Sequence, residues 1–262
     1  MKIASFNANG IRARIPVILK WLEMQSPDVL CLQETKVQDA DFPQEAFRTS
    51  GYHLSFIGQK SYNGVAILST AKPREVGFGF DENTAGQPQA DKEARLIRAD
   101  IDGITVVNVY VPQGQDPDSE KFKYKLDWLE RLRAYLGQHF RPDCLLVCAG
   151  DFNVAPEPND VYDPEKLQGA VGYHPAEHAA LARLKDWGLI DLFRKHHPDD
   201  KQYTFWDYRV PNAVKRGIGW RIDHILATEK LAQLSTTAWV DDQPRLADRP
   251  SDHTFVVSEF EL

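Results

Sequence analysis

The chain has 262 residues, of which 42% are hydrophobic and 26% charged, and this ordinary globular composition excludes collagen-like, low-complexity and disordered classes. Its formal net charge of −7 argues against a protein that coats nucleic acid by bulk positive charge. No apolar run approaches the roughly 18–20 residues of a membrane span and no signal peptide is recognisable, so we expect a cytoplasmic protein with no membrane partner.

The first third of the chain predicts strands separated by one helix. Lys2–Asn7 predicts a strand, and residues 15–24 carry apolar side chains at helical spacing, with Pro16 near the start. The continuous apolar run VLCL predicts a strand buried on both faces. Residues 52–58 and 65–70 predict a hairpin, and residues 77–93, rich in glycine, proline and charge, predict a loop.

The remaining elements follow in the same way. Asp102-Gly103 lies between LIRADI and ITVVNVYV and is the strongest hairpin signal in the chain. Residues 119–140 predict a long helix with Ser119 as its N-cap. Residues 144–150 predict a doubly buried strand, and residues 175–187 a helix that ends at Gly188. The strands RIDHILAT, TTAWV and TFVVSEFEL follow an irregular stretch.

Strands outnumber helices, and several form adjacent hairpins. This pattern predicts mixed, mostly antiparallel sheets, and a plausible arrangement packs two sheets face to face with helices outside. No break in composition suggests a linker, so we expect one domain over residues 1–262. The three cysteines Cys31, Cys144 and Cys148 lie in apolar stretches and predict buried thiols in a reducing compartment, without a zinc site.

Asn, Asp, Glu and His dominate the ends of six predicted strands, where Ser, Lys and Thr are scarce. The segments are Asn7 with Asn9, Gln33-Glu34, Asn108-Val109-Tyr110, Asp151-Phe152-Asn153, Asp223-His224 and Asp252-His253. If these ends converge, they form an oxygen-rich pocket suited to Mg²⁺ or Mn²⁺ bridging to a substrate phosphate. The alternative is that polar side chains simply meet solvent at strand ends, or cap a turn at residues 151–153.

Seven segments, in this order, resemble motifs of the exonuclease III family of apurinic/apyrimidinic (AP) endonucleases. They are SFNANGIRA (5–13), LCLQETK (30–36), NVYVPQG (108–114), AGDFN (149–153), YTFWDYR (203–209), GWRIDHIL (219–226) and PSDH (250–253). The resemblance implies a DNase I-like, four-layer α/β sandwich of two mixed sheets flanked by helices. It also implies Mg²⁺-dependent hydrolysis 5′ to abasic sites, with 3′→5′ exonuclease and 3′-phosphatase or phosphodiesterase activity.

The resemblance carries roles over to single residues. Glu34 matches the principal metal carboxylate, and the expected metal site also includes Asn7, Asn9, Asp151, Asn153, Asp252 and His253. Asp151 matches the residue that activates water, held by Asn7, while Asn153 and Tyr110 match phosphate contacts. His253 matches the histidine on the scissile phosphate, oriented by Asp223. Asp252 matches a carboxylate assigned to a metal or to the leaving group.

Substrate selection is expected from an apolar pocket and a basic strip. Phe205, Trp220 and Ile222 match positions that line the pocket for a flipped abasic sugar, although single aromatics near strand ends are commonly core. Arg209, Lys215 and Arg216 belong to a locally basic stretch, residues 201–224, that suits phosphate contacts. Asn9 stands where many members carry Asp, which puts a second metal position in question.

The expected partner is double-stranded DNA with abasic sites or 3′-blocked ends, acted on by a monomeric, bacterial-type, nucleoid-associated enzyme. Two alternatives remain. One is a superfamily phosphatase or phosphodiesterase acting on another phosphate ester, and the other is a catalytically silent DNA-binding relative. The second alternative would be favoured by loss of charge at Glu34, Asp151, Asp223, Asp252 or His253, and all five are retained.

Overall fold

The computed structural model describes residues 1–80 and 93–262. The strands in this part of the chain are β1 (Lys2–Asn7), β2 (Val29–Gln33), β3 (His53–Ile57), β4 (Val65–Ser69), β5 (Val76–Phe78), β6 (Leu96–Ile101), β7 (Ile104–Tyr110), β8 (Leu146–Asp151), β9 (Leu189–Asp191), β10 (Asp223–Thr228), β11 (Ser235–Asp241) and β12 (Phe255–Phe260). Within those residues they form two six-stranded sheets, in the orders β11-β12-β1-β2-β4-β3 and β5-β6-β7-β8-β10-β9.

Both sheets are mixed, and each contains one parallel pair of strands. β1 pairs with β2 in parallel, and β7 pairs with β8 in parallel, whereas the other described pairs are antiparallel. Parallel neighbours end at the same edge of a sheet. The ends of β1 and β2 therefore lie at one edge of the first sheet, and those of β7 and β8 at one edge of the second. A hydrogen bond from Asn7 at the end of β1 to Asp151 at the end of β8 shows that these two edges meet.

The helices of the described residues are α1 (Ile11–Gln25), α2 (Gln44–Arg48), α3 (Glu120–His139), α4 (Pro164–Leu167), α5 (Pro175–Asp186), α6 (Leu192–His196), α7 (Ala213–Arg216) and α8 (Glu229–Gln233). One apolar core lies between the sheets and includes Ile3, Cys31, Val106, Val147 and Ile225. A second core packs α1 and α2 on the outer face of the first sheet, and a third packs α3 and α5 on the outer face of the second. The predicted four-layer α/β sandwich is therefore confirmed.

Several element boundaries differ from the sequence prediction. α1 begins at Ile11, so that Pro16 is its sixth residue and forgoes one helical hydrogen bond on an exposed face. Part of the predicted loop at 77–93 is wrong, because β5 pairs with β6, and residues 81–92 of that loop lie outside the described residues. Cys31 and Cys148 are buried as expected, while Cys144 is only half-buried.

Other local predictions are confirmed. Ser119 caps α3, accepting a hydrogen bond from the Phe122 backbone N–H, and Asp102-Gly103 forms the β6–β7 turn. None of the helices in the described part of the chain is long and apolar enough to cross a membrane.

Candidate active site

The polar ends of the central strands converge on one cavity of about 620 Å³. Its wall includes Glu34, Tyr110, Asp151, Asn153, Asp252 and His253. β10 runs antiparallel to β8, so its first residue, Asp223, lies directly opposite the last residue of β8, Asp151. The convergence predicted from residue types is therefore present.

Asn7 joins the two sheets at the floor of this site. Its amide nitrogen donates to Glu34 Oε1 and to Asp151 Oδ2, both at 2.8 Å, and its Oδ1 accepts from the Asn9 backbone N–H at 2.9 Å. Asn7 is fully buried, so these contacts satisfy both amide hydrogens and the oxygen. The side chain fixes two carboxylates from different sheets in one place.

Asp151 lies in an environment that favours its protonated form. Burial raises its pKa to about 7, with the nearby charges of Asp223 and Glu34 acting in the same direction and that of His253 opposing them. Its Oδ1 accepts a hydrogen bond from the Asn153 backbone N–H at 2.8 Å. A carboxylate with a pKa near neutrality is well matched to accepting a proton during a reaction.

His253 is held by a carboxylate from β10. Its Nδ1 lies 2.8 Å from Asp223 Oδ2, and its Nε2 lies 3.9 Å from Asp151 Oδ2. Burial alone would lower the pKa of His253, but the charge of Asp223 and its hydrogen bond raise that pKa to about 10. The ring is therefore an imidazolium at neutral pH, with one N–H directed to Asp223.

Glu34 and Lys36 form the opposite rim. Both have left-handed backbone conformations, with φ of 48° and 54°. Lys36 Nζ lies 2.8 Å from Glu34 Oε2 and also donates to Asn9 Oδ1. Burial raises the pKa of Glu34, but Lys36 and the Asn7 hydrogen bond outweigh it and leave the pKa below its usual value. Lys36 was missed as a site residue, although it stands two positions after the predicted metal carboxylate.

Tyr110 contributes a protonated hydroxyl. Burial together with the charges of Glu34 and Asp151 raises its pKa well above its usual value. The Arg95 guanidinium lies over the ring, 4.7 Å from its centroid, and donates to the Tyr110 carbonyl at 3.3 Å. Arg95 carried no motif and was not predicted from the sequence.

Glu34, Asp151 and His253 each present one ligand atom, and these atoms lie within 4.8 Å of one another. The two carboxylates supply hard oxygen atoms that suit a small divalent cation. Asn7 was expected among the metal ligands, but it directs its amide nitrogen at both carboxylates and its Oδ1 at the Asn9 N–H, so it holds the carboxylates in place and presents no oxygen to an ion. The other predicted ligands lie around this group. Asn9 Oδ1 already accepts from Lys36, and Asp252 Oδ1 accepts from Asn9 Nδ2 at 2.8 Å. The Asn153 amide nitrogen donates to the Val111 carbonyl at 3.0 Å.

Phe205, Trp220 and Ile222 line the same cavity, beside the group formed by Glu34, Asp151 and His253. Trp220 forms isolated backbone bridges to Phe205 and Val161, and the Phe205 ring centroid lies 4.9 Å from that of His253. A small apolar cluster that includes Ala155, Val161 and Tyr173 supports these side chains from behind. The structure therefore places an apolar wall next to the imidazolium.

Of the three predicted basic residues, one lines the cavity and two do not. Arg209 lines the cavity, although its guanidinium is paired with Asp207 at 2.6 Å and is 89% exposed. Lys215 and Arg216 are exposed on α7 and do not line the cavity. Gln113, Gln115 and Tyr162 also line it and were not predicted as site residues.

Comparison with known proteins gives consistent matches over the whole chain. Residues 4–253 match the model of the endonuclease/exonuclease/phosphatase family. The chain is 35% identical to exodeoxyribonuclease III of Haemophilus influenzae, covering 99% of this chain and 100% of the relative. A solved AP endonuclease from Archaeoglobus fulgidus is 46% identical, with a TM-score of 0.95 and complete coverage of both chains. A Neisseria 3′ phosphatase solved with a product DNA hairpin is 38% identical, with a TM-score of 0.93 and complete coverage of both chains.

Proposed function

The chain belongs to the endonuclease/exonuclease/phosphatase family, within its exonuclease III branch, and from this premise we propose that it is a DNA-repair nuclease that hydrolyses the phosphodiester bond 5′ to abasic sites. The observation that carries the proposal is the apolar wall of Phe205 and Trp220 beside the imidazolium of His253. A deoxyribose without its base fits against such a wall, whereas an attached base is sterically disfavoured there.

In this proposal Asp151 accepts the proton of the attacking water. Its pKa of about 7 lets it be ionised before attack and still take up a proton. Asn7 holds the carboxylate through the 2.8 Å hydrogen bond to Oδ2. The Asn153 backbone N–H fixes the second oxygen, so the position of the base is set by two independent contacts.

His253 stabilises the charge on the phosphate. Because Nδ1 is engaged by Asp223 and the ring is protonated, Nε2 carries a hydrogen that can be donated to a phosphoryl oxygen. A protonated Nε2 cannot ligate a metal, so we assign His253 to the phosphate. Tyr110 and the side chain of Asn153 line the same wall and are proposed as further phosphate contacts.

We propose Mg²⁺, or Mn²⁺ in its place, as the cofactor, held by Glu34 with Asp151 nearby. When bound, the ion supplies Lewis-acid stabilisation of negative charge on the phosphate. Asp252 lies on the cavity wall beside Asn9, where it can serve the metal or the leaving group. Calorimetric titration with Mn²⁺ measures metal binding without turnover. In that titration Glu34→Gln should bind Mn²⁺ more weakly than the parent.

The decisive test is incision of a duplex that carries one tetrahydrofuran abasic analogue. We expect a single cut 5′ to the analogue, leaving a 3′-hydroxyl, in Mg²⁺ and not in excess EDTA. Asp151→Asn, purified in parallel, is the matched control for contaminating nucleases and should be slower by roughly 10²–10⁴-fold. Undiminished cleavage in chelator, or equal rates for the two preparations, would contradict the proposal.

A second activity, removal of 3′-phosphates and 3′→5′ exonuclease action, is favoured by the similarity to the Neisseria 3′ phosphatase. These reactions also hydrolyse a phosphate ester, at the 3′ end of a DNA strand. Comparison of kcat/KM on abasic, 3′-phosphate and intact 3′-hydroxyl duplexes ranks these activities. We further infer that residues 1–262 form one domain and that the protein acts in the cytoplasm as a monomer. Light scattering of the purified chain, with and without DNA, tests the monomeric state.

A further inference from the structure

Two arginines from distant parts of the chain meet on one tyrosine beside the catalytic cavity. Arg14, in the first turns of α1, donates from Nη2 to the Tyr208 hydroxyl at 2.9 Å. Arg245, in the short 3₁₀ helix Gln243–Leu246, places its guanidinium 5.2 Å from the centroid of the same ring. Tyr208 itself is 47% exposed, so this group of three side chains, which we call the Arg14–Tyr208–Arg245 cluster, lies at the surface.

The cluster carries two positive charges with neutral partners. Arg245 Nη2 donates to the Trp206 carbonyl at 3.1 Å, and Arg14 donates to a hydroxyl. Within residues 1–80 and 93–262, neither guanidinium has a carboxylate within 4 Å, whereas the half-buried Arg95 and Arg98 are both paired with glutamates. Like charges placed together repel each other, and an anion that binds both relieves that repulsion.

The cluster is hydrogen-bonded to the segment that contains Asp252 and His253, before β12. The Tyr208 hydroxyl donates to the Pro250 carbonyl, two residues before Asp252. The Trp206 backbone N–H donates to the Asp252 carbonyl at 2.8 Å, while the Trp206 carbonyl accepts from Arg245. The residues on either side of Tyr208, Asp207 and Arg209, line the cavity. The Arg14–Tyr208–Arg245 cluster therefore lies next to residues of the cavity wall.

We propose that the Arg14–Tyr208–Arg245 cluster is a binding subsite for a DNA backbone phosphate that flanks the scissile one. The inference rests on the proposed function for the identity of the polymer. Guanidinium forks suit phosphate oxygens, and backbone contacts of this kind fix the register of a duplex without reading its sequence. In an acidic chain, such a local pair of charges gives the phosphate backbone a place to attach.

The test compares DNA affinity over a salt series in an Asp151→Asn background, which slows cleavage by roughly 10²–10⁴-fold, and in the absence of added Mg²⁺. The double variant Arg14→Gln/Arg245→Gln should bind an abasic duplex about tenfold or more weakly, since a hydrogen bond to a charged group typically contributes that much. The slope of log Kd against log salt should fall by about 1, close to the 0.9 expected for one lost phosphate contact. The charge-keeping pair Arg14→Lys/Arg245→Lys should retain most of the slope.

Arg141→Ala is the matched control, because its side chain is 84% exposed and it precedes β8 at the far end from Asp151. Its slope should equal that of the parent. A scan of single methylphosphonate linkages should show a position at which the parent loses affinity and the double glutamine variant does not. If the double glutamine variant has the same slope and the same methylphosphonate scan as the parent, the subsite is overturned. If that variant differs from the parent only in a lowered melting temperature, the two arginines stabilise the fold and do not bind phosphate.

The subsite and the proposed function can fail separately. Each preparation with Asp151 restored is also assayed for abasic incision. If the parent incises abasic DNA and the double glutamine variant shows no change in slope, the subsite is overturned and the nuclease assignment stands. No incision, together with a reduced slope, overturns the nuclease assignment and leaves a site for backbone phosphate.

Discussion

Lys125 and Glu177 form an ion pair that is fully buried behind the candidate active-site cavity. Lys125 Nζ also donates to the carbonyls of Gln113, at 3.2 Å, and Asn153, at 2.7 Å. Glu177 Oε2 accepts from the Gly172 backbone N–H at 2.8 Å. The pair therefore joins three loops of the cavity wall to the helices α3 and α5.

Lys125→Met should destabilise the protein strongly. Removing one member of a buried pair leaves the other charge uncompensated, which costs about 3–5 kcal/mol. The free energy of unfolding from urea denaturation measures the loss. Lys123→Met is the matched control on the same helix, because Lys123 is 66% exposed and paired only with exposed Glu120. Equal stability of the two variants would show that the buried pair contributes little.

Asp223→Ala and His253→Ala should be strongly non-additive in kcat/KM. The two side chains are 2.8 Å apart, and the charge of Asp223 keeps the ring protonated. Once the ring is removed, the loss of Asp223 should have little further effect, as expected of residues that act as a unit. The measurement is a double-mutant cycle on abasic duplex. If the loss of kcat/KM in the double variant equals the product of the two single losses, the two residues do not act as a pair.

Trp220→Ala should lower activity on abasic DNA more than on intact ends. Removal of the indole takes away an apolar contact worth on the order of 1–3 kcal/mol. Activity on undamaged 3′ ends should fall less, because steric exclusion of a base is relaxed. The measurement is kcat/KM on both substrates, with Lys215→Ala as the comparison that should affect them alike. Equal losses on both substrates for Trp220→Ala would assign the indole to packing.

The buried acid cluster behind the pocket should make stability depend on pH. Asp191 Oδ2 lies 2.9 Å from Arg221 Nη1, and Arg221 is flanked in sequence by Trp220 and Ile222. Burial alone would raise the pKa of Asp191, but the charge of Arg221 and the hydrogen bond from it hold that pKa well below its usual value. A lowered folded pKa stabilises the protein fully above the unfolded value of about 3.8, and the stabilisation is lost as the pH falls through the folded value.

Asp191→Asn should therefore be less stable at neutral pH and show a flatter decline in acid. Between about pH 5 and pH 2 the parent should lose more unfolding free energy than the variant. Urea denaturation at each pH measures the difference, with Asp186→Asn at an exposed position of α5 as the control. Parallel pH curves for Asp191→Asn and the parent would rule out the linkage.

Elements with local signals followed the sequence closely. The Ser119 cap and the Asp102-Gly103 turn formed as predicted, because capping and turn chemistry depend on a few neighbouring residues. The start of α1 did not. Gly10 and Ile11 donate their backbone N–H groups to the carbonyls of Glu34 and Thr35, so a contact with the loop after β2 supplies the partners for an earlier helix start.

Residue identity and spacing determined which side chains are candidates for the chemistry. Asn7, Glu34, Asp151, Asp223 and His253 each lie at the end of a strand with a readable apolar pattern or within two positions of it, so their presence at one sheet edge was predictable from the chain itself. The family motifs that contain them are also contiguous stretches. Both kinds of information are local, which is why the sequence alone yields the fold class and the core of the site.

Tertiary structure decided how those side chains act. Asp223 lies opposite Asp151 only because of the β8–β10 register, and this proximity helps to raise the pKa of Asp151. Lys125 is buried because α3 turns it towards loops that are distant in sequence, and Arg14 meets Tyr208 across 194 positions. Burial, register and long-range charge depend on the packed sheets, and no short segment of sequence encodes them.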